Sequence, residues 1–178
     1  SVLNHRQFIM GPEIDELERK LAKFSESKYC LSCSSGTDAL LISLLAKGVS
    51  PGDKIVTTPF TYIATAEVVR LIGAVPVFVD IDPKTFNIDC REIRRAFNNS
   101  KNIKGIIPVN LFGLPADFDD IYKTISDYGN IFVIEDAAQS FGAVYKGRKS
   151  CSLGDIGATS FFPAKPLGCY GDGGAIFT

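Results

Sequence analysis

Short apolar runs, each followed by a small-residue turn and then a stretch with helical spacing, succeed one another through most of this chain. That alternation restricts its fold more than any other feature. Residues 29–33, 54–58, 75–79, 103–109 and 131–135 read as strands. Between them, residues 38–47, 61–72, 91–97 and 118–128 read as helices, and Gly48 and Gly73 stand where such helices end. A helix over 12–24 opens the series, with Ile14, Leu17, Leu21 and Phe24 at helical spacing and Pro12 in the first turn. Strands alternating with helices in this way predict an α/β fold, a mostly parallel sheet built from right-handed crossovers and covered by helices on both faces. After Asp136 the rhythm changes. Residues 143–146 and 157–162 read as strands around a polar turn at 147–150, and 175–178 as one last strand. No repeat, low-complexity segment or linker divides the 178 residues, so a single domain over 1–178 is expected.

Composition narrows the function. Hydrophobic residues make up 46% and charged ones 22%. No apolar run approaches the roughly 20 residues of a membrane span, which predicts a chain that does not cross a membrane. The formal net charge is −1 with both signs interspersed, so nothing resembles the electrostatic footprint of a nucleic-acid or membrane-surface binder. Residues 1–10 lack a basic stretch followed by an apolar one, and a cytoplasmic location is the expectation. The five cysteines, at 30, 33, 90, 151 and 169, are scattered and odd in number, as expected of reduced thiols. Cys30 and Cys33 form a lone C-x2-C, and the single histidine is His5. No metal site is expected, and Ser-His-Asp or Cys-His chemistry has almost no material to work with.

In open α/β sheets, ligands sit beyond the carboxyl ends of the strands, and the chemically informative residues cluster at such ends. Ser34-Ser35-Gly36-Thr37 precedes a helix and brings hydroxyls, backbone N–H groups and a positive dipole end together. This suits a phosphate, although an ordinary helix cap explains Ser35 or Thr37 equally well. Tyr62 stands at the expected start of the next helix, where its ring can lie on a flat ligand or simply pack. Asp136 ends an apolar run and is followed by Ala137-Ala138. It can pair with a protonated ring nitrogen or cap the next turn. Gln139 can donate to a phenolate oxygen, and Ser160 can add a hydroxyl to a phosphate. Lys165, with Phe161 and Phe162 before it and Gly168, Gly171, Gly173 and Gly174 behind, reads as a desolvated amine able to attack a carbonyl and form a Schiff base. A Schiff-base lysine with a partner for a pyridinium is the combination that pyridoxal 5′-phosphate (PLP) enzymes use.

The segments Ser35-Gly36-Thr37-Asp38-Ala39-Leu40, Thr61-Tyr62-Ile63-Ala64-Thr65, Glu135-Asp136-Ala137-Ala138-Gln139-Ser140-Phe141-Gly142-Ala143 and Ser160-Phe161-Phe162-Pro163-Ala164-Lys165 resemble the DegT/DnrJ-type nucleotide-sugar aminotransferases. The likeness runs from about residue 8 to residue 178. Within that family the chain looks like the enzymes that aminate a UDP-2-acetamido-2-deoxy-3-keto-hexuluronate for bacterial surface polysaccharides. The resemblance implies a fold-type I PLP enzyme, with Lys165 and Asp136 as the catalytic pair. It implies Ser35, Gly36, Thr37 and Ser160 at the phosphate, Tyr62 stacked on the ring and Gln139 at the phenolate. It also implies an amino-acid donor, with glutamate first in order, a nucleotide-linked keto sugar as acceptor, and a homodimer. Some relatives carry histidine at the lysine position and dehydrate sugars, so lysine here favours transamination. Family members are about twice this length, which makes the chain read as the large domain without its C-terminal small domain. A non-catalytic remnant that folds, dimerises or binds PLP without turnover is the alternative.

Overall fold

The structure is a computed structural model describing residues 2–178. Its elements follow in chain order. A single turn α1 (Val2–His5) precedes α2 (Pro12–Ser25), β1 (Cys30–Cys33), α3 (Gly36–Ala46), β2 (Lys54–Thr57), α4 (Ala64–Leu71) and β3 (Val75–Phe78). Next come α5 (Cys90–Asn99), β4 (Ile103–Ile106), α6 (Phe118–Ile125) and β5 (Phe132–Asp136). The chain continues through β6 (Val144–Tyr145), β7 (Arg148–Lys149), β8 (Ile156–Ser160) and β9 (Gly174–Phe177).

Seven strands form one sheet in the order β1-β9-β8-β5-β4-β2-β3. The pairs β8–β5, β5–β4, β4–β2 and β2–β3 are parallel. β9 runs antiparallel to both β8 and β1, so it alone is reversed among the seven. The expected mostly parallel sheet is therefore present.

Alternation along the strands sends successive side chains to opposite faces. On one face Ile55, Phe132, Ile134, Ile156 and Ile176 pack with Leu40 and Leu44 of α3 and Val68 and Val69 of α4. On the other, Val56, Ile106 and Val133 meet Ile93 of α5 and Phe118, Ile121 and Ile125 of α6. Ala175 and Phe177 extend that second face toward Leu21 of α2. Each fully buried side chain of this kind contributes about 1.5–3 kcal/mol relative to exposure, and both faces are covered as the alternation requires.

Several local expectations differ from the structure, among them β4 and α6, which end at Ile106 and Ile125 rather than at 109 and 128. α3 begins at Gly36 rather than at residue 38, because Ser35 is the cap and its side chain accepts the Asp38 N–H. α4 begins at Ala64, which leaves Tyr62 ahead of the helix rather than in its first turn. The segment read as a polar turn at 147–150 contains a strand: Arg148 and Lys149 pair with Tyr145 and Val144. The reversal lies at Lys146 and Gly147, whose φ values of 48° and 84° are the two positive angles a type I′ hairpin requires.

Candidate active site

β1, β2, β4, β5 and β8 all point their carboxyl ends to one edge of the sheet. A cavity of about 920 Å³ opens there. Ser35, Gly36 and Thr37 reach it from the β1–α3 turn, and Tyr62 from the segment after β2. Asp136 and Gln139 come from the end of β5, and Ser160 and Lys165 from the end of β8. All eight residues singled out in the sequence thus line the same space.

At one end the start of α3 meets the tip of β8. A Cβ on Gly36 would lie 2.6 Å from the Cβ of Ser160, so only glycine admits this approach. The first helical positions carry N–H groups with no carbonyl four residues back to receive them, and the helix dipole adds positive potential. Ser160 Oγ accepts the Phe162 N–H at 3.3 Å, which leaves its own proton to donate. Together these groups make an anion cradle. The Ser35 hydroxyl is committed otherwise. It accepts from the Asp38 N–H at 3.0 Å and lies 3.0 Å from the Asp38 carboxylate, so its side chain serves as the helix cap.

At the sheet end Asp136 is 5% exposed. Its Oδ2 accepts from Thr65 Oγ1 at 2.8 Å and its Oδ1 from the Ala138 N–H at 3.2 Å. Burial pushes its pKa up, opposed by those two hydrogen bonds and by the charge of Lys165. A buried carboxylate with two donors and no ion-pair partner among the described residues is suited to receive a cationic ligand group.

On a third wall, Gln139 Oε1 accepts the Phe112 N–H at 2.7 Å, leaving its NH2 to donate. The Tyr62 ring, 68% exposed, borders the cavity near its opening. Lys165 sits in the loop between β8 and β9, where its N–H donates to the Phe162 carbonyl at 2.8 Å. Its side chain is half-buried. Phe162 and Leu167 beside it are themselves half-exposed, so the burial expected from its neighbours is only partial.

Cys30 and Cys33, three residues apart on a strand, face opposite sides of the sheet, Cys30 toward Leu21 and Phe177 and Cys33 toward Ala39 and Leu40. They cannot chelate one ion. Among the described residues no cluster of three or more His, Cys, Asp or Glu side chains is placed to hold a metal, and no helix is long and apolar enough to cross a membrane.

Two cavity residues escaped the sequence reading. Thr65 is the hydroxyl donor to Asp136, 71 positions away. Phe112, 72% exposed with φ 55° and ψ 18°, carries the N–H that orients Gln139. The sequence offers one faint signal for Thr65, a polar residue on the otherwise apolar inner face of α4.

The model of the DegT/DnrJ/EryC1/StrS aminotransferase family matches residues 1–178. Among proteins of similar sequence, a UDP-2-acetamido-2-deoxy-3-oxo-D-glucuronate aminotransferase from Pseudomonas aeruginosa is 60% identical over 99% of this chain and 48% of its own length. A solved DegT DnrJ EryC1 StrS aminotransferase from Brucella abortus superposes with a TM-score of 0.94 at 44% identity, covering 99% of this chain and 48% of that one. NtdA from Bacillus subtilis, solved with bound cofactor PMP, gives a TM-score of 0.92 at 38% identity over 99% of this chain and 39% of its own. The chain thus spans about half the length of the relatives it matches.

Proposed function

Because this chain belongs to the DegT/DnrJ/EryC1/StrS aminotransferase family, we propose that residues 1–178 form the PLP-binding large domain of a nucleotide-sugar aminotransferase. The reaction read here moves an amino group from an amino acid, glutamate first in order, to a keto sugar carried on a nucleotide. Similarity to the Pseudomonas aeruginosa enzyme favours a UDP-linked 3-keto-hexuluronate as acceptor. Five free thiols are in keeping with a cytoplasmic setting, and a homodimer follows from the family reading.

One observation carries this assignment. A single cavity gathers an anion cradle, a buried carboxylate with no ion-pair partner among the described residues, an amide donor, an aromatic ring and a lysine. The residues fit the cofactor by their own chemistry. Gly36 leaves room that any Cβ would fill, so a phosphate can be received by the Gly36 and Thr37 N–H groups and the Ser160 hydroxyl. Asp136 would hold a ring nitrogen in its protonated form, and its own burial makes that pairing strong. Thr65 fixes the carboxylate's orientation. Gln139 would donate to the phenolate oxygen, and Tyr62 would lie on the ring face.

Bound PLP supplies an aldehyde and a ring that withdraws electrons. Lys165 Nζ would be the nucleophile toward that aldehyde and, as a free amine, the base that takes and returns a proton. Borohydride treatment with PLP followed by peptide mapping tests the reading. The label is expected on Lys165, and label on another lysine instead would overturn the assignment.

A further inference from the structure

The residue before Asp136 faces the other way and is the most completely buried acid in the chain. Glu135 is 0% exposed, and no cation pairs with it among the described residues. Four donors meet it instead. Its Oε1 accepts from Asn110 Nδ2 at 2.8 Å, Ser150 Oγ at 2.7 Å and the Cys151 N–H at 2.9 Å, and its Oε2 from the Leu153 N–H at 2.9 Å. Burial raises its pKa and these donors oppose the rise. Each of the four contacts is a donor, an arrangement that favours the carboxylate form against the effect of burial.

Asn110 carries that anchorage outward. Its Nδ2 also donates to Ser140 Oγ at 3.0 Å, and its Oδ1 accepts the Ala116 N–H at 2.9 Å. Ser140 and Ser150 share a further bond of 2.6 Å. Asn110 precedes Phe112 by two positions, and Ser140 follows Gln139 directly. Both partners of the Phe112 N–H to Gln139 Oε1 bond are therefore tied, within two residues, to one buried carboxylate. The arrangement also explains how Phe112 keeps a left-handed backbone that non-glycine residues rarely hold.

We propose that Glu135 is a positioning residue, whose carboxylate, acting through Asn110 and Ser140, holds Gln139 so that its amide donates to the cofactor's phenolate oxygen. This rests on the PLP reading above. Glu135 itself does not line the cavity.

Two measurements test it: the pH midpoint of the visible absorbance of bound PLP, and the side-chain amide resonances of Gln139 in cofactor-free protein. Removing a donor from the phenolate strengthens its hold on the proton shared with the lysine nitrogen, so Gln139→Leu is expected to raise the midpoint. Glu135→Gln, of nearly equal shape but bringing a donor among four donors, is expected to raise it too and to shift the Gln139 resonances. In the double variant the midpoint shift is expected to be no larger than in Gln139→Leu alone, which marks a shared path. If Glu135→Gln does not fold, Ser140→Ala decides, since it cuts the link beside Gln139 and leaves the carboxylate intact; a smaller shift of the same sign is expected. A folded Glu135→Gln, or failing that Ser140→Ala, with midpoint and resonances both unchanged overturns the proposal. Wild-type protein that develops no PLP absorbance at all contradicts the functional reading instead.

Discussion

On the sheet side of the cavity Asp136, Thr65 and Ser160 are all buried, and α3 starts so close to β8 that a methyl group does not fit between them. On the opposite side, the loop that carries Lys165 exposes Phe162, Leu167 and Tyr170. Three backbone bonds within it, from the Phe161, Lys165 and Cys169 N–H groups to the carbonyls of Gly173, Phe162 and Phe161, are 2.7–2.8 Å long. The groups proposed for recognition are thus set by the core, whereas Lys165, the proposed nucleophile, rides on a segment with little burial of its own. A change on the sheet side should disturb fold and binding together, and a change on the loop should disturb chemistry alone.

Removing the lysine tests the loop half of this contrast most severely. Lys165→Ala should abolish borohydride-fixed PLP altogether while leaving the denaturant midpoint within the roughly 0.5 kcal/mol typical of a surface substitution. Loss of stability comparable to a core mutant would show that the loop is part of the core after all.

Glycine-to-alanine exchanges set the two sides directly against each other. Gly36→Ala forces a Cβ to 2.6 Å from that of Ser160, whereas at Gly171 nothing stands within 4 Å of the added atom. Overpacking should cost Gly36→Ala about 1–3 kcal/mol and weaken PLP binding, with Gly171→Ala neutral in urea unfolding. Equal stabilities for the two variants would dissolve the distinction.

Asp136 gives a pH-dependent prediction with a definite sign. Its folded pKa is raised above an ordinary value near 3.8 by burial. The stability linked to its protonation is therefore full below that ordinary value and lost as pH rises through the folded one. Without cofactor, Asp136→Asn should be more stable than wild type at neutral pH, and the gap should close in acid. Glu135 is raised in the same direction but is common to both proteins, so the difference isolates Asp136. Adding PLP should stabilise wild type more than the asparagine variant, since only the carboxylate gains a cation. Thermal unfolding across pH, with and without PLP, reads both effects.

The sheet was legible because its signal is local: five apolar runs at strand length with helices between them. The Lys146–Gly147 hairpin was not, since a type I′ turn is signalled by Asn-Gly or Asp-Gly and here a lysine occupies the first left-handed position. Among site residues, Asp136 and Lys165 stand out from their own neighbours in sequence. Thr65, Asn110 and Phe112 do not. Each acquires its role from a partner 25 or more positions away, at distances set by how α4 and the turn after β4 lie against β5. Ser35 was open in the sequence between a helix cap and a phosphate contact, and the structure uses its hydroxyl as the cap.

Tyr62 tests the comparison at its weakest point, because it borders the cavity without belonging fully to either side. It precedes α4, which the core holds, yet its ring is 68% exposed. Its carbonyl receives the Thr65 N–H at 3.4 Å, so the backbone is tied to the sheet wall while the side chain is not. Stacking of an aromatic ring on a flat ligand adds about 0.5–1.5 kcal/mol, which corresponds to at most about a tenfold change in affinity. Tyr62→Ala should weaken PLP binding by up to that factor and leave the unfolding midpoint unchanged, and Tyr62→Phe should match wild type in both. Fluorescence titration of PLP against the three proteins separates the possibilities. A loss of stability in Tyr62→Ala would move this residue to the sheet side, and unchanged affinity would remove it from the binding surface.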